Sequence, residues 1–387
     1  MLFRSLQDLA QQFGTPLYVT DLGVVQTQLA RLQNAFPQCA LRYAVKANAG
    51  HHLLEFLANE GVGAEVITEG ELARALHAGM TGENILVGGP GQPTALRQAA
   101  REAGVHRVSL DGPQQWEAWE REGFGDARFF VRVNPRLDPN THPHLATGAA
   151  HSKFGIPAAQ ADALASRVAA HGRLAGFHVH MGSMIPDASV HQDVLAILDE
   201  LLHPHEGVRE LNLGGGFAVP DFDLAGLADL VLPWAEARDL KLTLEPGRWL
   251  VADAGCLLTR VLWRKDISDD APGSVTHWIC DAGMAQLLRP ALYEAEHPIR
   301  VVGTPSGAPA SGDVDGPLCE NADRLGRNRT LSADRGDLLV VERAGAYGLA
   351  MASNYASDLL PAEIIVHGET VTVSRERQNT SEWTARD

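Results

Sequence analysis

Eight short apolar runs recur along the chain at 41–45, 64–67, 84–87, 106–110, 128–134, 174–180, 210–213 and 241–245. Most are continuous in apolar character, as parallel strands buried on both faces must be. Segments with helical periodicity lie between them, at 51–59, 71–78, 94–103, 113–122, 157–170, 190–203 and 224–238. Eight strands with intervening helices over about 200 residues predict a closed (β/α)8 barrel, an α/β fold. The pattern alone leaves a doubly wound open sheet as the alternative.

The pattern changes after about Gly255. Strand-like pieces at 256–265, 277–280, 338–343 and 362–367 alternate with Gly- and Pro-containing turns, without crossover helices. This predicts a second, mostly antiparallel β domain. The stretch 304–316, rich in Gly, Pro, Ser and Asp, reads as a loop. The expected division is a barrel over 22–252 and a β domain made of 1–21 plus 253–387.

With 387 residues, 45% of them hydrophobic, the chain can bury a sizeable core. A formal net charge of -16 repels phosphate backbones and argues against a nucleic-acid partner. The four cysteines, Cys39, Cys256, Cys280 and Cys319, are far apart, which argues against a disulfide framework or a zinc site. The first fourteen residues, with Arg4, Gln7, Asp8, Gln11 and Gln12, are unlike a signal peptide. No run of about 18 apolar residues is present. The expectation is a soluble, cytoplasmic protein with no membrane partner.

Barrels carry function at the C-terminal ends of their strands. Those ends hold Lys46, then Arg132 and Asn134, then His178 and His180, then Gly214, Gly215 and Gly216, then Glu245 and Arg248. Lys46 follows an apolar run in YAVKAN. It reads either as a snorkelling surface lysine or as a Schiff-base lysine whose pKa burial lowers. The triple glycine is either a tight turn or a backbone nest for an anion. Arg248 in EPGR could add a clamp on phosphate or carboxylate. Glu245 is either an ion-pair partner or the group that keeps a ring nitrogen protonated. His178 and His180 share a strand face at period two, and no third ligand at a fitting spacing completes a zinc site. His180 could stack on a cofactor ring, with Ser183 as a phosphate donor.

YAVKAN, HVHMGS, GGG, EPGR, GPLCE and GAYG occur in this order. Together they resemble the fold-type III, alanine-racemase-like pyridoxal-phosphate decarboxylases, over about 16–363. RVNPRLDPNTHPHLATGAAHSKFGI at 132–156, DAGMAQLLRPALY at 281–293 and GPLCENAD at 316–323 look like the diaminopimelate branch of that family. The resemblance implies pyridoxal 5'-phosphate as cofactor, no resident metal, and conversion of meso-diaminopimelate to L-lysine and carbon dioxide. It implies that Lys46 carries the cofactor and His180 stacks on its ring. Ser183, Gly214, Gly215, Gly216, Gly247, Arg248 and Tyr347 would lie around the cofactor, with Glu245 on the pyridine nitrogen. Arg248, Arg289, Tyr293 and Tyr347 would meet the substrate, and Glu320 its distal ammonium. Lys46 or Cys319 would return a proton to the alpha carbon. Cys319 and Glu320 are expected to reach into the site of a partner subunit, so that the active unit is a homodimer with shared sites.

Other decarboxylases of this scaffold, acting on ornithine, lysine, arginine or carboxynorspermidine, are the nearest rival reading. A racemase and a non-catalytic cofactor-binding protein are more distant ones. The chain departs from the family pattern at Glu65, at Thr68, Glu69 and Gly70, at Met184, at Asn321 and Ala322, and over 87–93. None of these departures removes a group assigned to catalysis.

Overall fold

The computed structural model describes residues 5–137, 152–267 and 275–385. The chain divides into two compact units: Thr27–Leu250, and Met1–Gln26 with Val251–Asp387. Strand β1 (Leu17–Asp21) lies in the second of these.

The first unit contains β2 (Ala40–Ala44), β3 (Gly63–Val66), β4 (Ile85–Val87), β5 (Arg107–Leu110), β6 (Arg128–Val133), β7 (Leu174–Val179), β8 (Glu210–Asn212) and β9 (Lys241–Leu244). Each is parallel to the next, and β9 pairs with β2 through Leu41 and Leu244, which closes the barrel and excludes the open sheet. All eight apolar runs are strands, with ends within one residue of those expected. The crossover helices bury apolar stripes against them. His51–Asn59 buries Leu53, Leu54 and Leu57. Pro113–Glu122 opens on a proline, whose missing N–H is harmless in a first turn, and buries Trp116 and Trp119 one turn apart.

The second unit contains β10 (Gly255–Ile267), β11 (Val275–Cys280), β12 (Ile299–Val302), β13 (Ala310–Asp315), β14 (Arg324–Leu331), β15 (Leu338–Val341), β16 (Ala362–His367) and β17 (Thr370–Arg375). The sheet runs β14-β13-β11-β10-β1-β16-β17, with β15 joining β10 to β12. Among the described residues, β1–β16 and β11–β13 are its parallel pairs and the remainder are antiparallel.

Successive side chains on a strand point to opposite faces. Tyr18, Leu257, Leu339 and Val341 accordingly join one core cluster, while Leu17, Val19, Leu258, Leu338 and Val340 join another. The sheet is therefore buried on both sides where β1, β10 and β15 meet. The helix Leu6–Phe13, begun by a Ser5–Asp8 capping box, contributes Leu9 and Ala10 to the second cluster.

The loop expected at 304–316 is corrected in part: Ala310–Asp315 is strand β13. Gly312, which read as a turn signal, is needed for a different reason. A Cβ there would lie 1.8 Å from the Thr276 carbonyl oxygen, so only glycine lets β11 and β13 approach. Of the family-like stretch 132–156, the His-Pro and Thr-Gly elements lie outside the described residues.

Candidate active site

After β2 the chain tightens into a single 3₁₀ turn, Val45–Ala47, with Val45 and Ala47 buried and Lys46 between them. Glu65 on β3 is the Cα partner of Ala44, and its carboxylate forms an ion pair with Lys46 Nζ. The Lys46 side chain is 34% exposed and that of Glu65 5%. Burial pushes the Glu65 carboxyl above the usual carboxylate range, and the Lys46 ammonium opposes that shift.

Barrel register sets Arg132 beside His178 and His178 beside Asn212. All three are buried. Asn212 is fixed at both ends of its amide. Its Oδ1 accepts from the Gly214 N–H at 2.8 Å, and its Nδ2 donates to Glu245 Oε1 at 2.7 Å. The Glu245 N–H donates to the Gly214 carbonyl at 2.7 Å, which ties the ends of β8 and β9 together. Burial raises the Glu245 carboxyl as it does that of Glu65, again opposed by Lys46.

His178 Nδ1 lies 2.6 Å from Ser109 Oγ, and its Nε2 is 3.7 Å from Glu245 Oε1, too long for a hydrogen bond. Burial, then the charges of Arg132 and Lys46, hold His178 and His180 far below the usual imidazole range, so both are neutral at pH 7. The His180 tautomer follows from its partner: Gly215 N–H donates to Nδ1 at 3.0 Å, so Nε2 carries the proton. Arg132 Nη1 lies 3.2 Å from Asp111 Oδ1, which also accepts the Gly155 N–H at 2.7 Å. The Arg132 guanidinium sits over the Phe154 ring at 4.9 Å.

The triple glycine is a packing device before it is an anion nest. A Cβ on Gly214 would stand 2.6 Å from His180 Nδ1, one on Gly215 2.2 Å from the Glu245 carbonyl oxygen, and one on Gly216 2.1 Å from that of Gly182. Gly214 and Gly216 also adopt φ of 64° and 96°. The Gly214 amide is engaged by Asn212 and the Gly215 amide by His180, so the run does not offer three amides to one anion. Nearby, Arg248 Nε donates to Ser183 Oγ at 3.2 Å. Gly247 comes so close to Ala44 that a Cβ would lie 3.0 Å from the alanine methyl.

Within the second unit, Arg289 opens the short helix Arg289–Tyr293, which ends on a half-buried Tyr293. Arg289 Nη1 lies 3.0 Å from His297 Nε2. Tyr347 is half-buried with φ 56°. The Cys319 thiol is exposed, and the exposed Glu320 accepts from the Tyr355 hydroxyl at 2.5 Å. Lys46, His180, Ser183, Gly214, Gly215, Gly216, Glu245, Gly247 and Arg248 belong to the barrel unit, and Arg289, Tyr293, Cys319, Glu320 and Tyr347 to the other.

Several participants carried no motif signal. Asn212 is a polar residue in the last position of the short strand β8, a cue that position alone provides. Ser109 and Asp111 likewise sit at the end of β5. Glu65 stood out in the sequence only as a departure from the family, and its contact with Lys46 depends on strand register.

A family model described as pyridoxal-dependent decarboxylase, pyridoxal binding domain, matches residues 22–252. Diaminopimelate decarboxylase of Deinococcus radiodurans is 38% identical over 384 residues, covering 98% of this chain and 98% of that one. Its counterpart from Aquifex aeolicus is 36% identical over 392 residues, covering 97% and 92%. The crystal structure of diaminopimelate decarboxylase from Helicobacter pylori complexed with L-lysine superposes with a TM-score of 0.90 at 30% identity, over 98% of each chain.

Proposed function

The chain belongs to the pyridoxal-dependent decarboxylase family, and on that premise we propose that it converts meso-diaminopimelate to L-lysine and carbon dioxide, with pyridoxal 5'-phosphate as cofactor. This would be the closing step of lysine biosynthesis, carried out in the cytoplasm. No helix among the described residues is long and apolar enough to cross a membrane.

The observation that carries the reading is the pairing at the barrel mouth: Lys46 Nζ meets the Glu65 carboxylate, and Asn212 holds the buried Glu245 at 2.7 Å. Burial pushes both carboxyls up, opposed by Lys46 and Arg132. A ring nitrogen held protonated would supply Glu245 with a cation of its own. The residues of the barrel unit therefore fit pyridoxal phosphate: an amine for its aldehyde in Lys46, a carboxylate for its nitrogen in Glu245, and polar groups for its phosphate in Ser183, Gly216 and Arg248.

When bound, the cofactor supplies a conjugated sink for the electron pair left by the departing carboxylate. Glu245, oriented by Asn212, holds the proton on the ring nitrogen and deepens that sink. His180 presents its ring face, with Nδ1 fixed by Gly215. Gly214 and Gly215 let the backbone and the imidazole approach one another, and Gly247 lets the EPGR turn lie against β2. Glu65 pairs with Lys46 Nζ and fixes where it stands. Lys46 or Cys319 delivers a proton to the alpha carbon after carbon dioxide leaves.

The far end of meso-diaminopimelate carries both a carboxylate and an ammonium. Arg289, with Arg248, Tyr293 and Tyr347, takes the first, and Glu320 takes the second. Two copies of the chain form a homodimer in which Cys319 and Glu320 of one serve Lys46 of the other. Ornithine, lysine and arginine lack one of the two far groups, so they leave Arg289 or Glu320 without a counterpart. Carbon dioxide release from meso-diaminopimelate, LL-diaminopimelate, ornithine, lysine and arginine tests the assignment. Release from meso-diaminopimelate well above the others is expected, and preference for a substrate without the far carboxylate would overturn it.

A further inference from the structure

His297 is 1% exposed, and each of its ring nitrogens meets a partner. Its Nδ1 lies 2.9 Å from the Glu342 carbonyl oxygen, and its Nε2 lies 3.0 Å from Arg289 Nη1. A carbonyl oxygen can only accept and a guanidinium can only donate. Both contacts therefore require the same state of the ring: neutral, with the proton on Nδ1 and the lone pair on Nε2.

The imidazole is also anchored. The Glu342 N–H donates to the Pro298 carbonyl at 2.9 Å, next to the bond that His297 makes to the Glu342 carbonyl. β12 begins at the following residue, with Ile299 the Cα partner of Val341 on β15. The Glu342 carboxylate is held by Arg300 at 2.7 Å. A rigid antiparallel ladder thus fixes the ring, and the ring fixes one arm of the arginine. The backbone of Arg289 is closed separately, by the left-handed Glu294 whose N–H caps the Arg289 carbonyl. That contact sets the main chain, while His297 holds one edge of the guanidinium.

We propose that His297 is a positioning residue for substrate selection: a neutral acceptor that orients the Arg289 guanidinium toward the far carboxylate of the substrate. The inference rests on the assignment of Arg289 made under Proposed function. Lysine in place of Arg289 would not reproduce the arrangement, because a planar fork held along one edge has a defined direction and an ammonium does not.

L-lysine and 1,5-diaminopentane make the discriminating pair of competitors. L-lysine retains the far carboxylate of meso-diaminopimelate, and 1,5-diaminopentane lacks it. In His297→Leu holoenzyme, KM for meso-diaminopimelate and Ki for L-lysine should rise together by about 10–100-fold, the scale of a lost hydrogen bond to a charged group. Ki for 1,5-diaminopentane and kcat should stay near wild type. His297→Gln should restore most of the loss, because its amide can donate to Glu342 and accept from Arg289. Thermal unfolding checks that each variant is folded, and His297→Met replaces the leucine variant if that one is not. Unchanged KM, an equal rise for both competitors, or failure of folded His297→Gln to restore binding overturns the proposal. Arg289→Gln is measured alongside. If it does not separate the two competitors, the Arg289 assignment itself falls. If it does and His297→Leu does not, only the role of His297 falls.

Discussion

Lys46 and Glu65 meet across the β2–β3 pairing, an ammonium one-third exposed against a carboxylate almost wholly buried. The pair ties the Val45–Ala47 turn to the next strand. Lys46→Ala should lose the visible absorbance of the lysine-bound cofactor and reduce turnover by several orders of magnitude. It should also destabilise the protein by about 1–3 kcal/mol, less than the ~3–5 kcal/mol of a fully buried pair, because water reaches the lysine. Lys46→Arg should lose turnover equally but keep most of the stability, since a cation still faces Glu65. Denaturant midpoints separate the two effects. Retained activity with an unaltered cofactor spectrum in either variant would refute the assignment of Lys46.

Glu245→Gln should bind cofactor and decarboxylate slowly, with the loss in kcat, because an amide does not hold a ring nitrogen protonated as a carboxylate does. Asn212→Ala removes the 2.7 Å hydrogen bond that orients Glu245. It should lower kcat by roughly 10–100-fold, the weight of one hydrogen bond to a charged group. Stopped-flow single turnovers isolate the chemical step. An unchanged kcat in Glu245→Gln would make that residue structural.

The barrel was legible because its strands are continuous apolar runs, and pairing between parallel neighbours adds no sequence requirement beyond burial. The second unit was legible only in part. Arg324–Leu331 carries three arginines and an asparagine on an end strand of the sheet, and β1 pairs with residues more than two hundred positions away. Such partners leave no local trace. At the site, the strand-end position drew notice to Lys46, His180 and Glu245. Glu65, Asn212 and Ser109, which meet Lys46, Glu245 and the neighbouring His178, lie within strands, and their contacts arise from register, which the sequence states only indirectly.

His178 should give the cofactor-free protein a measurable pH dependence. Burial lowers its folded pKa, so between that value and about 6.5 the unfolded chain binds a proton that the folded chain does not. Its contribution is fully present above the unfolded pKa and is lost as pH falls. Glu65 and Glu245, raised by burial, act in the opposite sense, so the difference between wild type and variant is the informative quantity. His178→Gln should flatten the fall in stability between pH 7 and pH 5 by up to about 1.4 kcal/mol per unit. Urea titrations at each pH measure this. Parallel curves for the two proteins would show that His178 does not titrate on unfolding.

Lys46→Ala and Glu320→Ala should complement one another if two chains share sites. In a random mixture about half of the dimers are mixed, and each mixed dimer has one intact site, so activity should recover to about a quarter of wild type. If Glu320 serves its own chain, every site keeps a defect and nothing is recovered. Absence of recovery despite demonstrated subunit exchange would refute the shared-site reading.

The placement of β1 has a consequence for synthesis. Leu17 is the Cα partner of Leu258 on one side and of Ala362 on the other. Every barrel strand is translated before either partner exists. At ~5–20 residues per second, β1 waits roughly 15–70 s for its neighbours, with both edges open and apolar side chains on both faces. During that interval the segment lacks both of the strands that cover its edges, which leaves an apolar, unpaired stretch open to other chains.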